Sequence, residues 1–109
     1  MHTIVITFDL SDMTHDRYRE ICDELAPAFA AVPGLLTKIW LMDPDSARYG
    51  GVYLFADSAA ADGFLASTLA HSVATNPHFA DLSVRRFDVD EVTTARTQQG
   101  IPVVSGAAV

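Results

Sequence analysis

Two strand-like runs tied by a turn, with a helix start directly behind them, fix most of what this chain can become. They lie in the stretch Pro33–Phe64, PGLLTKIWLMDPDSARYGGVYLFADSAAADGF. The runs Leu36–Met42 and Val52–Ala56 are joined through Asp43-Pro44-Asp45-Ser46, where proline presets φ and the Asp and Ser side chains can bond nearby backbone. Tyr49-Gly50-Gly51 leads into the second run, and glycine there permits a bulge or a close backbone approach. The pattern predicts a hairpin with an extended tip. Asp57-Ser58 then caps a helix whose apolar positions Ala61, Phe64, Leu65 and Leu69 recur at helical spacing.

The flanks complete the order. Thr3–Phe8 is rich in β-branched residues and reads as a strand. Ser11–Thr14 offers N-cap oxygens for a helix carrying Tyr18, Ile21, Cys22, Leu25 and Phe29 as one stripe. Pro27 inside that stripe should kink or divide the helix, and a kink would open space beside the sheet as a candidate cavity wall. Ala70–Thr75 continues the second helix as a further turn or short helix, which Asn76-Pro77 stops, and Leu82–Val89 is the last strand. The order is β-α-β-β-α-β, the split βαβ arrangement of a ferredoxin-like α+β domain with a four-stranded antiparallel sheet. Ile4, Ile6 and Phe8 alternate with Thr3, Val5 and Thr7, and neither side is charged. Both faces of the sheet are therefore expected to be buried, one by helices and the other by a second copy of the chain. We read residues 1–92 as this domain and 93–109 as a polar tail ending near Ile101-Pro-Val-Val104, disordered alone or packed on the partner subunit.

Composition narrows the function. Fourteen acidic residues against seven basic ones give a net charge of −7, which opposes binding to nucleic-acid phosphates. No apolar window approaches the roughly 20 residues of a membrane span, and the first residues lack the basic region of a secretory signal. Cys22 is the single cysteine, so an internal disulfide is impossible and a cytoplasmic location is expected.

The runs PG-x-x-x-K-x-W at Pro33–Trp40 and GG-x-Y-x-F at Gly50–Phe55 resemble the bacterial putative monooxygenase family of the dimeric α/β-barrel superfamily, which also holds the antibiotic-biosynthesis monooxygenases. Pro27 and Arg86-Phe87-Asp88-Val89 are similar too, and the resemblance covers about residues 3–90. It implies a homodimer and a cofactor-independent monooxygenase, or a related cyclase or isomerase, on an aromatic or polyketide-like small molecule. No flavin or metal is implied. Two other readings stay open: a non-catalytic small-molecule-binding or stress-related module, and a purely structural subunit.

The site candidates come from side chains. Lys38 and Trp40 lie two apart and project to one face of their strand; Tyr49, Tyr53 and Phe55 share a face of theirs. If that face meets the helices, Trp40, Tyr53 and Phe55 make an aromatic wall with Phe64 opposite, on which a flat substrate can stack. Periodic Phe55 and Phe64 are read first as core, whereas Trp40 and Tyr53 each carry a polar handle and fit core and site equally. Lys38, in an apolar strand, either runs its stem along the surface to water or sits in a pocket where it stabilises a substrate anion. His71 and His78 are titratable candidates around the end of the second helix, His71 as the group taking a proton and His78 as a substrate contact. His2 and His15 are expected in solvent. The His71–His78 spacing matches no metal pattern, so no metal site is expected, and Cys22 is read as a packing residue.

Overall fold

The computed structural model describes residues 1–100, and within them the β-branched runs pair into one antiparallel sheet. The strands are β1 (His2–Leu10), β2 (Leu35–Asp43), β3 (Arg48–Phe55) and β4 (Phe79–Asp88), in spatial order β2-β3-β1-β4. The first and last strands thus lie side by side, with the hairpin β2–β3 on the other side of β1, as the split βαβ order requires. Pairing extends each strand beyond its apolar run. Gly50 and Gly51 belong to β3 without a bulge against β1, their partners being Thr7 and Ile6. Register shifts occur instead between Thr7 and Asp9 of β1 opposite β4, and between Leu35 and Thr37 of β2.

Helix α1 (His15–Ala30) starts at Thr14, whose side chain accepts a hydrogen bond from the Arg17 N–H, and buries Tyr18, Cys22 and Phe29. The helix is not divided at Pro27. Pro27 faces solvent, so water can reach the Asp23 carbonyl that the ring deprives of a donor, and it is not among the residues lining the cavity between α1 and the sheet. The expectation of a Pro27 cavity wall is therefore corrected: α1 lines its cavity with Cys22, Leu25 and Phe29.

Helix α2 (Ser58–Leu65) is capped by Asp57, which accepts from the Ala60 N–H, and buries Ala61 and Phe64. The chain then breaks at Ala66-Ser67, and Ser67 caps α3 (Thr68–Ala74). Leu69 therefore lies on α3, not on the second helix as its spacing predicted. The apolar period runs through the break and hides it. The polar stretch after β4 opens as a short exposed helix, α4 (Glu91–Thr97), capped by Asp90. Ile101–Val104 lies outside the described residues.

Helices α1, α2 and α3 cover the sheet face that carries Ile4, Ile6 and Phe8, all under 5 % exposed. Tyr49, Tyr53 and Phe55 complete this core from β3. The opposite face aligns Arg85, Val5, Val52 and Ile39 across the four strands, and Phe87, Thr3, Leu54 and Thr37 beside them. Its residues are half-buried or exposed, with Ile39 at 43 % and Phe87 at 50 %.

Candidate functional site

Register brings the candidates together. Lys38 stands opposite Tyr53, and Trp40 opposite Gly51, so Lys38, Trp40 and Tyr53 share the helix-covered face. Glycine at 51 makes the arrangement possible: a Cβ there would lie 2.8 Å from Lys38 Cε and 3.3 Å from a Tyr53 ring carbon. The lysine stem runs over the space that Gly51 leaves free. Gly50 answers a different need, because a Cβ on it would fall 1.9 Å from the Ile6 carbonyl oxygen, inside the neighbouring strand.

The stem delivers the Lys38 amine into an aromatic box. Nζ lies 3.3 Å from the Trp40 ring centroid, 3.5 Å from that of Phe29 and 4.8 Å from that of Tyr53. Phe29 crosses Trp40 edge-on at 5.3 Å and sits 6.0 Å from Tyr53, so α1 supplies the third wall. Among the described residues Lys38 has no carboxylate within ion-pairing distance. Burial accordingly pulls its pKa down to about 7, with Cys22 acting weakly the other way. Burial also raises the Tyr53 hydroxyl above the usual phenol range. The Cys22 thiol is pushed up by burial, against the opposing pull of the Tyr18 hydroxyl and Lys38.

Lys38, Phe29 and Trp40 form a partition. Behind them is a cavity of about 20 Å³, bounded also by Tyr18, Cys22 and Tyr53, with room for about one water. In front is an open groove of about 300 Å³ between the end of α1 and the start of β2, which includes Ala26, Leu35 and Leu36. The amine is thus reachable from outside while its surroundings are apolar.

Phe55 and Phe64 stack deeper, with ring centroids 5.6 Å apart and Tyr53 5.1 Å from Phe64. The aromatic wall exists, but Phe29 joins Trp40 to it, and Phe55 and Phe64 are fully in the core. Tyr49 is buried at the far end of β3, its hydroxyl 2.7 Å from His15 Nδ1 and its ring 4.5 Å from Tyr18. His15 is consequently half-buried rather than in solvent. His71 is exposed and lines a separate groove with Ile6, Leu82 and Val84; the fold does not bring it to Lys38. His78 donates from Nδ1 to the Ser11 carbonyl at 2.8 Å and ties the β1–α1 connection to β4.

His2 is the clearest correction, since it is only 7 % exposed. Its Nδ1 donates to Asp88 at 2.9 Å, and its Nε2 accepts from Arg86 Nε at 3.0 Å. Arg86 also pairs with Asp62 at 2.7 Å. These partners are 84 and 86 residues away in sequence, so no local pattern shows them. Phe29, Tyr18 and Cys22 were visible as an apolar stripe, and nothing in that stripe told cavity wall from core. No group of His, Cys, Asp and Glu among the described residues is arranged to hold a metal ion. No helix among the described residues is long and apolar enough to cross a membrane.

Comparison with known proteins gives a family and a fold. Among curated proteins no sequence matches. A protein of unknown function from Nitrosomonas europaea superposes with a TM-score of 0.70 at 13 % identity, over 94 % of each chain. An antibiotic biosynthesis monooxygenase from Deinococcus radiodurans, itself described as putative, superposes at 0.67 with 15 % identity, over 94 % of this chain and 98 % of that one. A point mutant of SnoaB, a cofactor-independent oxygenase from Streptomyces nogalater, superposes at 0.64 with 21 % identity, over 82 % of this chain and 92 % of that one. At these identities the structures establish a shared ferredoxin-like α+β fold. The family described as "Putative mono-oxygenase ydhR" matches residues 3–100, nearly the whole chain, and the protein therefore belongs to it.

Proposed function

We propose that the protein is a homodimeric, cofactor-independent monooxygenase acting on an aromatic or polyketide-like small molecule held against Trp40. The observation that carries this reading is the Lys38 amine, boxed by Phe29, Trp40 and Tyr53 with no acid beside it among the described residues, in a side chain that lines an open groove. Oxygenation without flavin or metal needs a substrate carbanion that can itself reduce dioxygen. The enzyme must then take a proton and hold the resulting anion. A lysine with a pKa near 7 does both, as a neutral base first and as an ammonium beside the anion afterwards. Lys38 takes this role in preference to His71, which lines another groove. Tyr53, with its hydroxyl kept protonated, donates a hydrogen bond to the substrate oxygen. The groove admits a flat ring stacked on Trp40, whereas the inner cavity has room only for a small molecule of dioxygen's size.

The family and the SnoaB likeness support the reaction class, and the apolar outer sheet face supports the homodimer. A hydroxyanthrone oxidation assay, followed by colour and by dioxygen uptake, tests the proposal. Turnover is expected with chelator present and without added flavin, haem or metal. Turnover that appears only with reduced flavin would overturn the cofactor-free mechanism.

A further inference from the structure

Lys38 is the only lysine in the chain; the other six basic residues are all arginine. An arginine guanidinium stays protonated throughout the physiological range, whereas an amine can lose its proton and become a nucleophile. Three of the arginines, Arg17, Arg48 and Arg86, hold carboxylates. The one basic side chain capable of covalent chemistry is placed where no carboxylate among the described residues engages it and where an open groove lined by Leu35, Leu36 and Trp40 reaches it.

From this geometry we infer that Lys38 captures aromatic aldehydes or ketones as an imine. The Nζ lone pair attacks the carbonyl carbon, a C–N bond forms, and the π pair of the C=O bond moves to oxygen. The carbinolamine then expels that oxygen as water, which carries away both amine hydrogens and leaves C=N. No oxidant or reductant is needed. Leu35, Leu36 and the Trp40 face give an aromatic ring an apolar surface, and the Phe29, Trp40 and Tyr53 rings around Nζ slow the return of water to the C=N bond. The lowered pKa supports the step by leaving a large neutral fraction at neutral pH. The inference goes beyond the oxygenase reading, because it rests on the amine and the groove and not on any reaction with dioxygen.

Trapping tests it directly. The full chain is incubated at pH 7.5 with benzaldehyde and cyanoborohydride, and the adduct is located by intact mass and peptide mapping, folded and in urea. The chain has one other amine, the Met1 α-amine, which is ion-paired with Glu91. The expected result is a single adduct on Lys38, formed at least about tenfold faster in the folded chain than in the unfolded one. Lys38→Arg should keep the charge and lose that adduct. Glyoxylate, small and anionic, should label more slowly than benzaldehyde. Labelling of Met1 alone, or of Lys38 no faster when folded than in urea, overturns the inference. Faster labelling by glyoxylate overturns the aromatic class. Hydroxyanthrone oxidation that proceeds while trapping fails would leave the oxygenase reading standing.

Discussion

Burial lowers the Lys38 pKa from 10.5 to about 7, so between those values the unfolded chain binds a proton that the folded chain has released. Stability contributed by this group therefore rises with pH across that window and is flat below it. Lys38→Met removes the penalty while keeping much of the stem volume. At pH 6 the variant should melt higher than wild type by about 10 °C or more, and the difference should shrink steadily towards pH 10. A difference independent of pH would show that the amine is charged and solvated in the folded state. Turnover should move the opposite way and be lost in Lys38→Met. Tyr53→Phe removes one hydroxyl from a ring already packed against Phe29 and Phe64. On the proposed mechanism it should cost about tenfold to a thousandfold in rate with little change in melting temperature. Full activity in Tyr53→Phe would return Tyr53 to the core. The face shared by Lys38 and Trp40 was legible from their spacing alone, since residues two apart on a strand point together. The depth of Lys38 was not. It depends on Phe29, supplied by another element, and on the missing side chain at Gly51.

At the scale of elements, the two adjacent glycines separate stability from site geometry. Gly50→Ala drives a methyl to 1.9 Å from the Ile6 carbonyl oxygen, and neither strand backbone can yield without breaking pairs. We expect a loss of about 3 kcal/mol or more, read by urea unfolding. Gly51→Ala instead meets the flexible end of Lys38 at 2.8 Å, and a side chain can swing aside. That variant should fold nearly as well but expel the amine into the groove, returning its pKa towards the ordinary lysine value. With one lysine in the chain, a single Cε resonance followed by NMR titration checks this, and an unchanged pKa would mean that the stem found another buried path. The strands and α1 were legible because β-branched runs and a 3.6-residue stripe are local signals. The break between α2 and α3 was not, because Leu65 and Leu69 keep the helical spacing across it while Ser67 ends one helix and caps the next. Helix α4 escaped for the opposite reason: with no buried residue it has no stripe to read, only its Asp90 cap.

For the whole molecule the question is what covers the outer face of the sheet. Four strands about 4.8 Å apart and some eight residues long at about 3.3 Å each make a face of roughly 500 Å². Two such faces in contact bury about 1,000 Å², near the lower limit for a specific interface. Val5, Val52, Leu54, Ile39 and Phe87 supply apolar surface there, with Arg85 the charged member of the rows they form. A flat patch of this size fits a second copy of the same sheet, which would also explain why Thr3, Val5 and Thr7 on the outer side of β1 are uncharged. Because the face alone is marginal, the chain after β4 is expected to add contact area. Light scattering should therefore give twice the chain mass at micromolar concentration. Val52→Asp places a charge mid-face without touching Ile4, Ile6 or Tyr53 on the other side, so it should yield a folded monomer with the core intact. Removal of Ala95–Val109 should raise the dimer dissociation constant by about tenfold, which corresponds to about 1.4 kcal/mol. A wild type of single-chain mass would sink the sheet-to-sheet dimer. A dimer unaffected by Val52→Asp would move the interface off this face, and an unchanged dissociation constant after truncation would leave the two sheets to hold each other unaided.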